Sequence, residues 1–218
     1  MMKERLQKLA AATALILSPL MAATHAAEVL YQNDLEKEDL GFEPLEFLVL
    51  EGRFEVKQEK DNRVMNLPGS PIGRFGYLFG PTETDGVEAQ ARIFGSRKGN
   101  LFPTFGVGLN GVSGYRLLCA QGRRSIELRK DSVLLASAPL KWASDTWTQF
   151  RLQVIKLGDG SWKVRGKLWE QGNAEPAKWQ VEHVEKEEPT PGRAAVWAWP
   201  FSDKPIKSDD VKVVRVSK

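Results

Sequence analysis

The chain has 218 residues, with 31 Lys and Arg against 28 Asp and Glu, one cysteine and two histidines. A single cysteine, Cys119, excludes an intrachain disulfide, and two histidines exclude a His-cluster metal site. No dense Lys/Arg stripe interleaved with aromatics is present, which excludes a nucleic-acid partner.

The N-terminus reads as an export leader. Lys3, Arg5 and Lys8 precede an apolar run from Leu9 to Ala23, and Thr24-His25-Ala26 places small residues three and one before a cut ahead of Ala27. The run is too short and too early for a membrane span, and no second run of spanning length follows. Residues 1–26 carry three of the basic and one of the acidic groups, leaving 28 against 27, a net charge of +1. The expectation is an exported protein, periplasmic or secreted. Residues 27–218 then form a single domain, long enough to bury a sufficient core without a staple.

From Glu28 onward, short alternating runs are separated by Gly, Pro, Asn and Asp, and none sustains helical spacing for three turns. In chain order the runs are 53–57, 63–67, 86–94, 104–110, 115–120, 125–130, 133–138, 146–157, 161–170, 179–184, 193–199 and 210–216. In GVEAQARIF, Val87, Ala89, Ala91 and Ile93 share one face, and Glu88, Gln90 and Arg92 the other. In SWKVRGKLW, Trp162, Val164 and Leu168 oppose Lys163, Arg165, Lys167 and Trp169. Gly158-Asp159-Gly160 and Asp131-Ser132 read as hairpin turns, and 186–192, KEEPTPG, as an exposed loop. About a dozen strands at this spacing predict an all-β fold, a two-sheet antiparallel sandwich or jelly roll.

Several segments in order carry a resemblance. An N-terminal strand ends in Asn33-Asp34, and GRFEVKQEKDNRVMNL follows as strand, polar turn and strand. DTWTQFRLQVIKLGDGSWKVRGKLWEQGNAEPAKWQVEH reads as long paired strands, and PGRAAVWAW with KSDDVKVVRV as the last two. This order resembles the concanavalin A-like superfamily, and more narrowly the laminin G-like domains of exported bacterial proteins. The resemblance implies a jelly-roll sandwich whose last strand closes beside its first, and it is specific for fold and poor for function.

Three kinds of site follow. Glu83, Asp85 and Glu88 resemble the E-x-D-x-x-E signature of family 16 glycoside hydrolases, in which the first Glu is the nucleophile, the Asp tunes it and the last Glu is the acid/base. Retaining chemistry needs two carboxyl groups about 5 Å apart. Glu83, however, follows Pro81-Thr82 in a stretch that reads as the loop before the strand, and Thr84 and Gly86 replace the hydrophobic spacers. A carbohydrate-binding surface is the second kind, because sugar rings stack their CH faces on exposed aromatics while their hydroxyls need fixed polar partners. Trp197 and Trp199, two apart and opposite Val196 and Ala198, offer that surface. Trp169, Arg165, Glu88, Gln90, Arg92 and Asn110 offer further positions. Thirdly, the resemblance implies a structural calcium where the first and last strands meet, with Asp34, Asp209 and Asp210 as oxygen ligands. No other cofactor is indicated. His183 falls on an apolar face as a structural residue, and Cys119 reads as a small buried hydrophobe.

The leading expectation is a non-catalytic module that binds carbohydrate or a glycan-bearing surface. A glycoside hydrolase and a structural or protein-interaction domain stand as alternatives, and the sequence sets no oligomeric state. The export reading predicts that protein recovered from periplasm or medium begins at Ala27 by N-terminal sequencing; a start at Met1 in that fraction would overturn it.

Overall fold

Alternating apolar and polar residues build the fold directly, because successive side chains of a strand point to opposite faces. The computed structural model describes residues 28–216. The predicted leader, residues 1–26, lies outside them. The first five strands are β1 (Val29–Asn33), β2 (Leu48–Glu51), β3 (Glu55–Glu59), β4 (Asn62–Leu67) and β5 (Phe75–Glu83). Next come β6 (Val87–Gly95), β7 (Thr104–Leu109), β8 (Tyr115–Ala120), β9 (Ser125–Lys130) and β10 (Val133–Pro139). The last five are β11 (Thr146–Lys156), β12 (Trp162–Glu170), β13 (Val181–Glu185), β14 (Gly192–Trp199) and β15 (Ile206–Arg215).

Two antiparallel sheets result. The first runs β13-β12-β11-β6-β15-β4-β3, with β1 also on β15; the second runs β10-β9-β8-β7-β14-β5-β2. Between them lies one core. Ala89, Ala91 and Ile93 of β6 and Phe150, Leu152 and Val154 of β11 meet Phe105 and Val107 of β7, Leu117 of β8 and Val196 of β14. The Phe105 and Phe150 rings cross the sheets edge to face, 6.0 Å between centroids. Full burial of each such side chain is worth about 1.5–3 kcal/mol relative to exposure. A buried hydrogen bond of 2.8 Å joins Tyr77 Oη of the second sheet to Ser208 Oγ of the first.

β15 organises the first sheet. Its start pairs with β4 through Ile206–Ser208, and its end pairs with β1 through Val211–Val214, while β6 runs along its other side. The pairing with β6 shifts between Asp209 and Lys212, where Asp210 has φ 51°. One extra residue therefore bulges out where β4 gives way to β1. The last strand thus does close beside the first.

β2 and β5 escape the sequence pattern. In β5, FGYLFGPTE, Gly76, Gly80 and Pro81 read as breakers, yet Phe75, Tyr77 and Phe79 alternate into the core between them. Glu83 is consequently the end of a strand, not part of a loop. The predicted turns at Asp131 (φ 49°) and Gly160 (φ 86°) take the left-handed backbone they need.

On the outer side of the second sheet, Gly106 lies where a Cβ would meet the Leu117 carbonyl oxygen at 1.9 Å, a clash that only strand separation relieves. At Gly122 nothing lies within 4 Å of an added Cβ. Gly106→Ala is expected to cost at least the upper end of the usual overpacking range, about 3 kcal/mol, and Gly122→Ala far less; equal melting shifts in the two variants would contradict this packing.

Candidate functional site

The outer face of the first sheet carries polar side chains in register. One row across the strands is Arg165, Gln153, Glu88 and Val214; the next is Lys167, Arg151, Gln90, Lys212 and Gln32. A third row is Trp169, Gln149, Arg92 and Asp209. Period two in each strand puts these residues outside, and antiparallel register lines them up.

Glu88 is the fixed point of this face, fully withdrawn from solvent. Arg151 donates from Nε and Nη2 to its two carboxylate oxygens at 2.5 and 2.9 Å. Gln153 and Gln90 donate their amides to it at 2.7 and 2.6 Å. Arg165 in turn donates to Gln153 Oε1 at 2.7 Å and lies over the Trp179 ring, 4.6 Å from its centroid. Burial works against the Arg151 charge, but Glu88 and Glu175 outweigh it and hold its proton more tightly than usual. Burial also pushes the Glu175 carboxyl up, and Lys167 and Arg151 more than reverse this, so that it titrates below the ordinary carboxylate range. Glu175, bonded to Arg151 and Lys167 at 2.6 Å each, fastens the loop after β12 onto the face.

A groove of about 620 Å³ opens over the middle row. Its floor includes Gln90, Gln149, Arg151 and Lys212, Trp169 stands at one end, and the segment after β1 with Asp34 and Glu38 forms a wall. Trp169 is half-buried, and the Gln149 carboxamide facing the groove has no hydrogen-bond partner among the described residues. Gln149 was not singled out by the sequence, where it is one polar position among many; its place opposite Trp169 depends on the β11–β12 register.

The other predicted residues separate from this group. Trp197 and Trp199 project from the outer face of the second sheet, on the far side of the sandwich, with Val196 and Ala198 turned to the core. Trp197 is only 3% exposed. Its ring lies over Gly76 and Gly108 of the flanking strands, and the Arg116 guanidinium covers it at 4.2 Å from the centroid. Burial and neighbouring Arg74 weaken the hold of Arg116 on its proton. The expected exposed tryptophan pair is therefore one buried indole and one half-buried one, 6.4 Å apart. Asn110 is also buried, at φ 65°, and its amide clamps the carbonyls of Glu83, Thr84 and Thr190 rather than facing a ligand.

The three carboxylates of the hydrolase-like signature do not share a strand face. Glu83 ends β5 in the second sheet and makes two 3.1 Å bonds with Arg215. Asp85 accepts the Trp162 indole N–H at 2.7 Å. Glu88 belongs to the first sheet and to Arg151. A bulged single strand holding a nucleophile and an acid/base side by side is not what the chain builds.

Two of the three expected calcium ligands are likewise occupied by side chains. Asp209, fully buried, accepts from Arg92 Nη2 at 2.5 Å and from the Asn62 amide at 2.8 Å, and Asp210 pairs with Arg92 Nε at 2.8 Å. Burial pushes the Asp209 carboxyl up, with Asn62 and Arg92 pulling the other way. Asp34 is exposed and accepts the Glu36 N–H. Among the described residues no group of three His, Cys, Asp or Glu converges as a metal site. The residues present do not fit calcium, because a guanidinium already stands between the two aspartates. Cys119 is buried and inward-facing, and burial pushes its thiol up. His183 is half-buried on β13.

No family model matches the chain, and no curated protein matches it in sequence. Solved structures do match in fold. The carbohydrate-binding module CBM66 from Bacillus subtilis superposes with a TM-score of 0.55 at 10% identity, over 78% of this chain and 95% of that one. The metal-free carbohydrate recognition domain of Emp46p gives 0.58 at 13% identity, over 87% and 97%. The apo Crh5 transglycosylase gives 0.57 at 9% identity, over 88% and 87%. The fold is the concanavalin A-like jelly-roll sandwich, and at these identities the likeness is one of fold. No helix among the described residues is long and apolar enough to cross a membrane.

Trp197→Ala should create a cavity costing about 3–5 kcal/mol of stability, measured by denaturant unfolding, with a smaller loss in Trp199→Ala. A cost below about 1 kcal/mol would show that the Trp197 ring is not part of the packed structure.

Proposed function

We propose that this domain is a non-catalytic carbohydrate-binding module of an exported protein, and that it takes its glycan in the groove on the outer face of the first sheet. The observation that carries this reading is the pairing, in one open polar groove, of half-buried Trp169 with the Gln149 carboxamide, which has no hydrogen-bond partner among the described residues. A sugar needs both an apolar platform for its CH face and fixed polar groups for its hydroxyls. Gln90, tethered to Glu88, and Arg151, held at both ends by carboxylates, are pre-positioned for the second requirement. Rigid groups lose little freedom on binding, which favours affinity for a ligand as well hydrated as a sugar.

Carbohydrate-binding proteins among the fold neighbours support the same reading. A transglycosylase is among the fold neighbours too, but the site geometry lends hydrolysis no support, since Glu83, Asp85 and Glu88 are each committed to a different partner. In a glycan-array screen of residues 27–218 with parallel reducing-sugar release, binding without release is the expected outcome. Trp169→Ala should then weaken binding to the best glycan by about 1–3 kcal/mol, with little change in melting temperature. Release of reducing ends, or unchanged affinity in that variant, would overturn the assignment.

A further inference from the structure

A second hollow adjoins the groove on the same face. It has a volume of about 570 Å³ and is lined by Glu59, Lys60, Asn62, Arg92 and Trp147. Arg92 stands between the two: it forms an ion pair with Asp210, which lines the groove, and donates from Nη2 to Asn62 Oδ1, at 3.2 Å, which lines the second hollow. Trp147 lies two residues before Gln149 on β11, so both point outward, and Gln149 pairs with Trp169 on β12. The two indoles therefore stand on adjacent strands, one same-face step apart. That places their backbones about 8 Å from each other, from a rise of about 3.3 Å per residue and a strand spacing of about 4.8 Å. Such a separation exceeds one pyranose ring.

Charge narrows the ligand further. The groove lining has three cations and four anions, and the second hollow two cations and one anion, so the surface as a whole is balanced. Arg92, the central cation, is already neutralised by Asp209 and Asp210. Nothing here gives a polyanionic chain a net attraction.

We infer that the two hollows are consecutive subsites for a linear, uncharged polysaccharide, with Trp169 the platform of the first and Trp147 that of the second. This rests on the glycan-binding reading above and specifies its ligand as a chain rather than a terminal sugar. Arg92 sits below the chain at the junction, and its 4.7 Å contact with the Trp147 ring fixes the second platform.

The test is calorimetric titration of residues 27–218 with β-1,4-linked gluco-, manno- and xylo-oligosaccharides and α-1,4-linked gluco-oligosaccharides, one to six units long, beside oligogalacturonates of the same lengths. For at least one neutral series, affinity should rise about tenfold or more between the shortest and longest members, on the scale of one added aromatic anchor. In Trp147→Ala that rise should vanish, and in Trp147→Phe it should shrink, with melting curves checking that both variants fold. Affinity that is flat with length, a rise retained in Trp147→Ala, or tighter binding of oligogalacturonate would overturn the two-subsite inference while leaving glycan binding in place. No binding by any series would overturn the glycan reading itself.

Discussion

A carboxylate withdrawn from water must be paired, and Glu88 imposes that requirement on the whole outer face of the first sheet. Alternation along β6 sends it outward, where an ordinary surface glutamate would be solvated. Here it is buried opposite Val214, so Arg151, Gln153 and Gln90 have to satisfy its oxygens. Stripping such a charge of its partner typically costs about 3–5 kcal/mol, because the remaining ion is left uncompensated. The network therefore holds three strands in one register and sets the orientation of each polar group above it. Arg151 extends the constraint to Glu175, and hence to the loop that borders the groove.

The second structural device is the bulge in β15. A long strand cannot pair with two partners on the same side unless one ends where the other begins, and the extra residue at Asp210 marks that place. It leaves Asp209 buried on the outer face beside Arg92 and Asp210 exposed next to it, so that one guanidinium bridges both. Bulges re-aim side chains and interrupt a flat sheet. This one stands between the two hollows, which is why topology and candidate binding surface meet at the same residue.

Much of the fold is legible in the sequence because period two is a local property. Val87, Ala89, Ala91 and Ile93 declare a strand and its inner face without knowledge of any partner. β5 is illegible for the opposite reason: its glycines and proline resemble punctuation, and only tertiary packing explains the glycines, since Gly76 gives room for the Trp197 ring and Gly80, at φ 70°, lies against Val213 and Tyr31 of the first sheet. The site is legible in pieces. Alternation correctly says that Trp197 and Trp199 share a face, but it cannot say that this face and that of Glu88 lie on opposite sides of the sandwich. Nor can it say that Arg116 covers one indole. Gln149, in contrast, acquires meaning only from its cross-strand neighbours, and no single-strand pattern points to it.

The arrangement of carboxylates also favours the proposed binding role over catalysis. An acid/base group must exchange its proton with substrate, and a nucleophilic carboxylate must present a free oxygen to the reacting carbon. Glu88 is enclosed by a bidentate arginine and two amides, Glu83 is tied to Arg215, and Asp85 receives an indole N–H. Each would have to give up existing bonds before it could react, and the first would leave Arg151 unpaired in doing so. A binding surface has no such conflict, because the same bonds that immobilise Glu88 hold Gln90 and Arg151 in place for a ligand's hydroxyls. The interactions that would obstruct turnover on this face are those that make it a rigid platform.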